Sequence, residues 1–199
     1  MFKVGITGGI GSGKTTIVRF FEAKNIPVFI ADTEAKILLD TSKYIRKKFI
    51  SVFGNDIYKP DSTLNRKKLA ERIFNNPSLM EFSNAVIHPE VRKRFDNWVK
   101  MQNCPYIIHE AAILFETGYY KFLDYTILVT APLEMRIERV MKRDKITRER
   151  VEERISNQWT DETKAELADY VLINDNKELL LPILNKLHNS FLNKLESDY

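Results

Sequence analysis

The sequence predicts an α/β protein built on one parallel sheet of five strands with helices on both faces. Apolar runs of strand length occur at residues 2–6, 27–30, 106–109, 125–130 and 170–173. Stretches with helical spacing of apolar residues lie between them, and this alternation is typical of parallel strands joined by crossover helices. A glycine-rich segment directly follows the first run. The pattern therefore predicts a ligand site where the first strand ends.

The glycine-rich segment contains the pattern G-x-x-x-x-G-K-[ST] from Gly8 to Thr15. Glycines permit the positive φ that turns backbone N–H groups inward around a polyphosphate, and Lys14 opens a helix whose dipole favours an anion. The Thr15 hydroxyl suits Mg²⁺. The alternative is a glycine-rich turn without a ligand, but the flanking strand and helix favour a phosphate loop (P-loop) and a three-layer NTPase-type fold. The residues predicted to bind the nucleotide are Gly9, Gly11, Ser12, Gly13, Lys14, Thr15 and Thr16.

Composition and charge bound the class of protein. The chain has 199 residues, of which 44% are hydrophobic and 29% charged, so disordered and fibrous classes are excluded. The net charge of +4 is small for a nucleic-acid-binding protein. No apolar run approaches the roughly 20 residues of a membrane span, and the N-terminus lacks the plan of a signal peptide. We expect a cytoplasmic protein with no nucleic-acid or membrane partner, and a monomer, although the sequence leaves the oligomeric state open.

The order of strands and helices divides the chain into a nucleotide-binding core, a helical insertion and a lid within one domain. The core is predicted at residues 1–32, 105–142 and 168–199, the insertion at 33–104 and the lid at 143–167. In the insertion, Asn65 stands where a helix N-cap is expected, and Ile-His-Pro at 87–89 predicts a helix break. Charged residues dominate the lid. Only Val151, Ile155 and Trp159 keep helical apolar spacing there, which is typical of a mobile segment.

Three carboxylates stand at or after predicted strands. Asp32 follows the second strand and is a candidate general base for a hydroxyl group, with the N-cap of the next helix as the alternative role. Glu110 ends the third strand, where an acidic residue that holds Mg²⁺ or its waters is expected. Glu116 stands beside Phe115, which we expect to be an exposed ring, and this pair suits contact with an organic substrate. An ordinary loop acid is the alternative for Glu116.

Three arginines repeat at helical spacing up to the start of the predicted lid. Arg136, Arg139 and Arg143 are three and four residues apart and therefore share one helix face. Three cations on one face repel unless anions screen them, and a phosphate-transfer site supplies such anions. Surface ion pairs are the alternative for each single arginine. As a set, the arginines favour phosphate chemistry.

Taken together, these segments resemble the dephospho-coenzyme A kinase family. The matching segments are the glycine loop through Ala31-Asp32, Ile87-His88-Pro89, Glu110 with Leu114 to Gly118, Arg136 to Asp144, Arg154 to Gln158, and Ala168 to Asn174. The chain departs from the family pattern at Ile30, where an aspartate is usual, and at Glu110, which replaces an aspartate. It also has Ala112 in place of a proline and Lys145 in place of a glycine.

The resemblance implies transfer of the γ-phosphoryl group of ATP, with Mg²⁺, to the ribose 3′-hydroxyl of dephospho-coenzyme A. It implies catalytic roles for Lys14, Asp32, Arg139 and Arg143, and an adenine contact for Asn174. The residues expected to bind the acceptor are Asp32, His88, Arg92, Glu110, Leu114, Phe115 and Glu116, and the expected metal ligands are Thr15 and Glu110. The alternatives are another small-molecule or nucleoside kinase and a nucleotide-dependent switch ATPase.

Overall fold

The computed structural model describes residues 1–74, 76–177 and 179–196. The last three residues of the predicted core, 197–199, lie outside the described residues. The chain divides into two compact units, one formed by Met1–Ile30 with Asn103–Tyr199 and the other by Ala31–Gln102.

The strands are β1 (Phe2–Thr7), β2 (Val28–Ile30), β3 (Tyr106–Glu110), β4 (Tyr125–Thr130) and β5 (Tyr170–Ile173). The α-helices are α1 (Lys14–Ala23), α2 (Ala31–Thr41), α3 (Lys43–Phe53), α4 (Arg66–Ile73), α5 (Pro77–Lys100), α6 (Leu133–Asp144), α7 (Arg148–Ser156), α8 (Asp161–Ala165) and α9 (Leu180–Glu196).

The first unit contains a five-stranded sheet in the order β2-β3-β1-β4-β5, and every pairing is parallel. The predicted fold class is therefore confirmed. In the central register, Ile6 of β1 lies opposite Glu110 of β3 on one side and Ile127 of β4 on the other. β1 lies between β3 and β4, but the chain continues from β1 to β2, on the far side of β3. Open α/β sheets bind ligands at a point where the order of the strands reverses in this way.

The core of this unit lies between the sheet and two helices. Val4 and Ile6 of β1 are fully buried, as are Ile17 and Phe21 of α1, and Leu184 of α9 packs in the same cluster. Each fully buried aliphatic or aromatic side chain stabilises the fold by about 1.5–3 kcal/mol. This packing fixes α1 behind β1, and so it fixes the loop that joins them.

The second unit is helical and has its own core. Ile45, Phe49 and Ile57 are fully buried there. Asn65 caps α4 as predicted, since its side chain accepts a hydrogen bond from the backbone N–H of Lys68 at 3.2 Å.

The predicted helix break at residues 87–89 is wrong, because α5 continues through Pro89. A proline inside a helix costs about 3 kcal/mol. Val86 and Phe95, on either side of it, are buried at 7% and 1% exposure, and two such side chains together offset that cost. Within the described residues, no helix is long and apolar enough to cross a membrane.

Two helices, α7 and α8, occupy the segment predicted as a lid. Val151 of α7 is fully buried against Ile137 and Val140 of α6, and Ile10 of the glycine loop packs against the same cluster. Trp159, expected to extend the apolar stripe of α7, is instead 45% exposed, because α7 ends at Ser156.

Candidate active site

The glycine loop joins the end of β1 to the first residue of α1, Lys14. Gly13 caps α1 in the left-handed region, with φ of 93°. A Cβ atom at Gly13 would lie 2.1 Å from Nδ2 of Asn174. Gly9 is constrained in a different way, because a Cβ atom there would lie 2.0 Å from the guanidinium of Arg136. The loop therefore needs glycine both for its turn and for the close approach of neighbouring side chains.

Side-chain donors reach the glycine loop at its carbonyl oxygens. The contacts are Lys14 Nζ to Gly8 O at 2.7 Å, Arg136 Nε to Ile10 O at 3.0 Å, Arg139 to Gly11 O and Ser12 O at 3.4 Å each, and Asn174 Nδ2 to Ser12 O at 2.9 Å. The C=O and N–H of a trans peptide point in opposite directions. When the carbonyls of Ile10 and Ser12 face these donors, the N–H groups of Gly11 and Gly13 face the opposite way. These two peptide N–H groups therefore point away from the side-chain donors, which is the arrangement that binding of an anion by a glycine loop requires.

The three arginines lie on α6, as predicted, but their surroundings differ. Arg136 is buried, and its NH1 forms an ion pair with Oδ2 of Asp161 at 2.9 Å. Arg143 is largely exposed and pairs with Asp144, and this guanidinium lowers the pKa of the Asp144 carboxyl. Arg136 therefore supports the loop from within the protein, whereas Arg143 stands at the surface.

Arg139 joins the glycine loop to the segment after β5. Its NH1 reaches the loop carbonyls, and its NH2 donates to the carbonyl of Asn174 and to Oδ1 of Asn176, both at 3.1 Å. The Asn174 side chain is 6% exposed. Within the described residues, its Oδ1 accepts no hydrogen bond. The residue predicted to contact adenine thus also supports the phosphate loop.

Glu110 ends β3 and is 9% exposed. The register places it beside Ile6 of β1 and Ile30 of β2, at the carboxyl edge of the sheet where the glycine loop also begins. Thr15 is exposed in the first turn of α1. Among the described residues, no three His, Cys, Asp or Glu side chains gather into a metal-binding group.

The loop after β3 is more buried than its sequence indicates. Leu114 is fully buried, and Phe115 is 1% exposed with its ring packed edge-on against Tyr120 at 5.2 Å between centroids. The expectation that the Phe115 ring is exposed is therefore wrong. Phe115 belongs to the core although the next residue, Glu116, is charged.

Glu116, in the same loop, is engaged by the segment that follows α7. Its Oε1 lies 2.9 Å from Nζ of Lys164, a side chain with 0% exposure, and accepts a hydrogen bond from the backbone N–H of Trp159 at 3.3 Å. Burying an ammonium group costs several kcal/mol unless an anion compensates it. Glu116 is the anion that compensates Lys164, so it is not the ordinary loop acid of the alternative interpretation.

Sequence reasoning missed three residues that support loops at this edge of the sheet: Gln158 and Asp161 beside the glycine loop, and Lys164 beside Glu116. Oε1 of Gln158 accepts a hydrogen bond from the backbone N–H of Ile10 at 2.9 Å. Gln158 belongs to one of the motifs that carry the family resemblance, which was a signal. Asp161 and Lys164 lie in a segment rich in charge, where nothing in the sequence separates a buried ion pair from a solvated one.

The other candidates lie in the helical unit. Asp32 is exposed and is the second residue of α2, which begins directly after β2, so its alternative role as a helix N-cap is wrong. His88 is half-buried in α5, and burial lowers the pKa of its imidazole below the usual value. The ring is therefore neutral at about pH 7. Arg92, one turn further along α5, is exposed.

Comparison with known proteins places the chain in a family. Residues 2–179 match the model of the dephospho-CoA kinase family. A dephospho-CoA kinase from Bacteroides fragilis is 38% identical over 186 residues, which cover 93% of this chain and 90% of the relative. The crystal structure of TT1252 from Thermus thermophilus has 31% identity and a TM-score of 0.83 and covers 98% of this chain and 97% of that one. The dephospho-CoA kinase from Campylobacter jejuni, at 24% identity and a TM-score of 0.63, covers 98% of this chain and 94% of its own and has the same fold. The chain therefore belongs to the dephospho-CoA kinase family, which confirms the family and the class of enzyme predicted from its motifs.

Proposed function

We propose that the protein transfers the γ-phosphoryl group of ATP to the ribose 3′-hydroxyl of dephospho-coenzyme A, giving coenzyme A and ADP. The observation that carries the proposal is the glycine loop, whose carbonyls contact Arg136, Arg139 and Asn174. The N–H groups of Gly11 and Gly13 point away from those donors and would face a bound phosphate. Membership of the family selects the acceptor. In the reaction, a bond forms between the acceptor oxygen and the γ-phosphorus while the bond from that phosphorus to the β–γ bridging oxygen breaks.

Charge stabilisation by the loop and its neighbours supplies most of the catalysis in this proposal. Phosphoryl transfer needs little covalent help from a protein, so positioning and electrostatics dominate. Lys14 would contact the β- and γ-phosphate oxygens, and Arg139 and Arg143 would neutralise charge that develops on the transferred group. Arg143 would first exchange its pairing with Asp144 for the phosphate.

The residues that would bind the acceptor in this proposal are Asp32, His88, Arg92 and Glu110. Asp32 would take the proton of the 3′-hydroxyl as that oxygen attacks, and its exposure leaves the carboxylate accessible. His88 and Arg92 would bind the acceptor, the first as a neutral hydrogen-bonding group and the second as a cation. Leu114, Phe115 and Glu116 would act indirectly, by holding the loop after Glu110 in place.

Mg²⁺ fits the donor set at the edge of the sheet. Thr15 offers a hydroxyl and Glu110 a carboxylate, the hard oxygen ligands that Mg²⁺ prefers, and substrate phosphates and water usually complete its coordination. When bound, the ion would neutralise phosphate charge. Asn174 would accept a hydrogen bond from the adenine amino group through Oδ1 while Nδ2 stays on Ser12. We further propose that the enzyme works as a cytoplasmic monomer on a small-molecule substrate, without nucleic-acid or membrane partners.

An acceptor panel tests the proposed function. Purified protein is incubated with ATP and Mg²⁺ and with either dephospho-coenzyme A or a set of nucleosides, and ADP and the phosphorylated product are quantified. Turnover with dephospho-coenzyme A is expected, and turnover only with nucleosides would contradict it.

A matched pair of variants tests the general base. Asp32→Asn should lower kcat roughly 100-fold with little change in ATP affinity. Asp96→Asn, an exposed aspartate of the same unit, is the control and should leave kcat unchanged. A selective loss of ATP binding in Asp32→Asn would show a structural role instead.

A further inference from the structure

Gln158 makes a direct contact with the glycine loop that the proposed chemistry has not used. It lies two residues after the end of α7, and its Oε1 accepts the hydrogen bond from the backbone N–H of Ile10 at 2.9 Å. Its own backbone N–H donates to the carbonyl of Ile155 at 3.0 Å, which fixes the turn that presents the side chain. The residue is half-buried.

The orientation of the Gln158 amide follows from its partner. A backbone N–H can only donate, so the atom that faces Ile10 must be the amide oxygen, and Nε2 occupies the other branch. Within the part of the chain that the structure describes, Nε2 donates to no protein group. Two N–H donors of a side chain fastened to the phosphate loop are therefore left for a ligand.

Contacts on both sides hold Gln158 and Ile10 in place. The carbonyl of Ile10 accepts from Arg136, whose guanidinium is paired with Asp161, three residues after Gln158. Trp159, the next residue, donates its backbone N–H to Glu116. The N–H of Ile10 is thus bound by Gln158, and its C=O is bound by Arg136, which Asp161 of the segment after α7 holds in turn. The segment that presents Gln158 is therefore tied to the loop at more than one point.

The position of Ile10 along the loop indicates which phosphate lies nearby. In phosphate loops the lysine reaches the β- and γ-phosphates, and the start of the following helix lies nearer the α-phosphate. Nζ of Lys14 donates to the carbonyl of Gly8 at 2.7 Å, so its ammonium lies at the first half of the loop. Ile10 belongs to that same half, so we expect the Gln158 amide to lie on the side of the terminal phosphate when ATP is bound.

We propose that Gln158 is a catalytic residue whose Nε2 donates to an oxygen of the γ-phosphate while its Oε1 remains on the N–H of Ile10. The inference rests on the proposed use of ATP but not on the identity of the acceptor. Because an uncharged N–H is placed in advance against an anion, the contact strengthens as charge moves during transfer. It also discriminates ATP from ADP, which has no γ-phosphate.

A pair of substitutions separates this role from mere support of the loop. Gln158→Glu keeps an oxygen that accepts from Ile10 but replaces the donor with an anion, whereas Gln158→Ala removes both. We expect kcat to fall about 10- to 100-fold in Gln158→Ala and at least as far in Gln158→Glu, the loss expected for a hydrogen bond to a charged group. Asn157→Asp is the matched control, because it makes the same change of charge one residue away on an exposed side chain. Among the described residues, the amide of Asn157 donates only to the backbone carbonyl of Glu153. The control variant should retain normal kcat.

Nucleotide binding measured calorimetrically without acceptor completes the test. Both Gln158 variants should bind ADP as the unchanged protein does but bind ATP about 10-fold more weakly. Normal kcat in Gln158→Glu together with a loss in Gln158→Ala would overturn the proposal. The role of Gln158 would then be only to accept the hydrogen bond from the backbone N–H of Ile10. Equal weakening of ADP and ATP would also overturn it. If the unchanged protein binds ATP but phosphorylates a different acceptor, the proposed function fails while this inference stands; if it binds no ATP, both fail.

Discussion

The glycine loop and the loop after β3 begin at the same edge of the sheet, yet different forces hold them. The glycine loop is held through its backbone, by donors from Arg136, Arg139 and Asn174 that end on its carbonyl oxygens. The loop after β3 is held through its side chains, because Phe115 is buried and Glu116 pairs with buried Lys164.

Because the two loops are held differently, substitutions in them should affect different properties of the protein. A loop fastened at its carbonyls keeps its N–H groups directed at a ligand, so changes at its charged side chains should alter catalysis more than folding. A loop fastened by burial contributes to the core, so changes there should alter folding more than substrate affinity. Variants in each loop can therefore confirm or break the comparison.

The largest effect is expected at Lys14. Lys14→Ala removes the cation that acts on the transferring phosphoryl group and should lower kcat/KM roughly 1000-fold. The free energy of unfolding should change by less than about 0.5 kcal/mol, as for most substitutions outside the core. Steady-state kinetics and urea unfolding measure the two quantities. Lys142→Ala, at an exposed position of α6, is the control and should leave both quantities unchanged. Activity close to normal in Lys14→Ala would contradict the distinction between the two loops.

Phe115 should show the opposite behaviour. Phe115→Ala opens a cavity in a site with 1% exposure and should lower the free energy of unfolding by about 4 kcal/mol. KM for both substrates should be unchanged in the protein that remains folded. Phe115→Leu keeps most of the volume and should cost less than about 1.5 kcal/mol. A raised KM for the acceptor with normal stability would restore Phe115 as a surface contact.

The pair formed by Glu116 and Lys164 should behave as a unit. Lys164→Met or Glu116→Gln alone leaves a partner uncompensated and should lower the free energy of unfolding by about 3 kcal/mol. The double variant should recover most of that loss, because neither charge remains. Urea unfolding of the full cycle measures the coupling. Losses that simply add would mean that the ion pair does not hold this loop.

The smallest effect is a pH dependence that arises at His109, on the strand that leads into the loop. Burial lowers the pKa of His109 to about 4, whereas an unfolded histidine titrates near about 6.5. Between these two pKa values the unfolded chain binds a proton that the folded protein does not. The free energy of unfolding therefore falls as the pH drops through this range. For this group the loss between about pH 7 and about pH 5.5 is about 1 kcal/mol.

The variant His109→Leu isolates that contribution. Its free energy of unfolding should depend less on pH than that of the unchanged protein over the same window, even if its absolute stability differs. His88 and His188 also have lowered pKa values and are present in both proteins, so the difference in slope reports His109 alone. Identical slopes would mean that the buried ring does not resist protonation.

Local rules predicted much of the fold and the phosphate loop of the candidate site. The five apolar runs became the strands of the parallel sheet, and Asn65 caps α4, because side-chain periodicity and capping depend on a few neighbouring residues. The pattern from Gly8 to Thr15 likewise identified the phosphate loop, since its glycines meet requirements of the backbone itself. The motif needed no knowledge of distant contacts.

Predictions failed where a residue's environment depended on distant segments. Pro89 predicts a helix break, but α5 continues past it because buried side chains on either side stabilise the helix. Phe115 reads as exposed because Glu116 follows it, yet Glu116 is itself compensated by Lys164 from another helix. Arg136, Arg139 and Arg143 look equivalent, and only the contacts of each guanidinium separate a buried support from a surface cation.

The sequence by itself determined the parallel α/β fold, the phosphate loop and the kinase family, because glycine geometry, apolar periodicity and motif order are written along the chain. Only the tertiary structure decided how that loop is held and which charges are buried. Gln158 on Ile10, Arg136 with Asp161, and Lys164 with Glu116 join residues far apart in sequence. Whether a charge is solvated or compensated depends on what folding brings beside it, and that is a property of packing rather than of spacing.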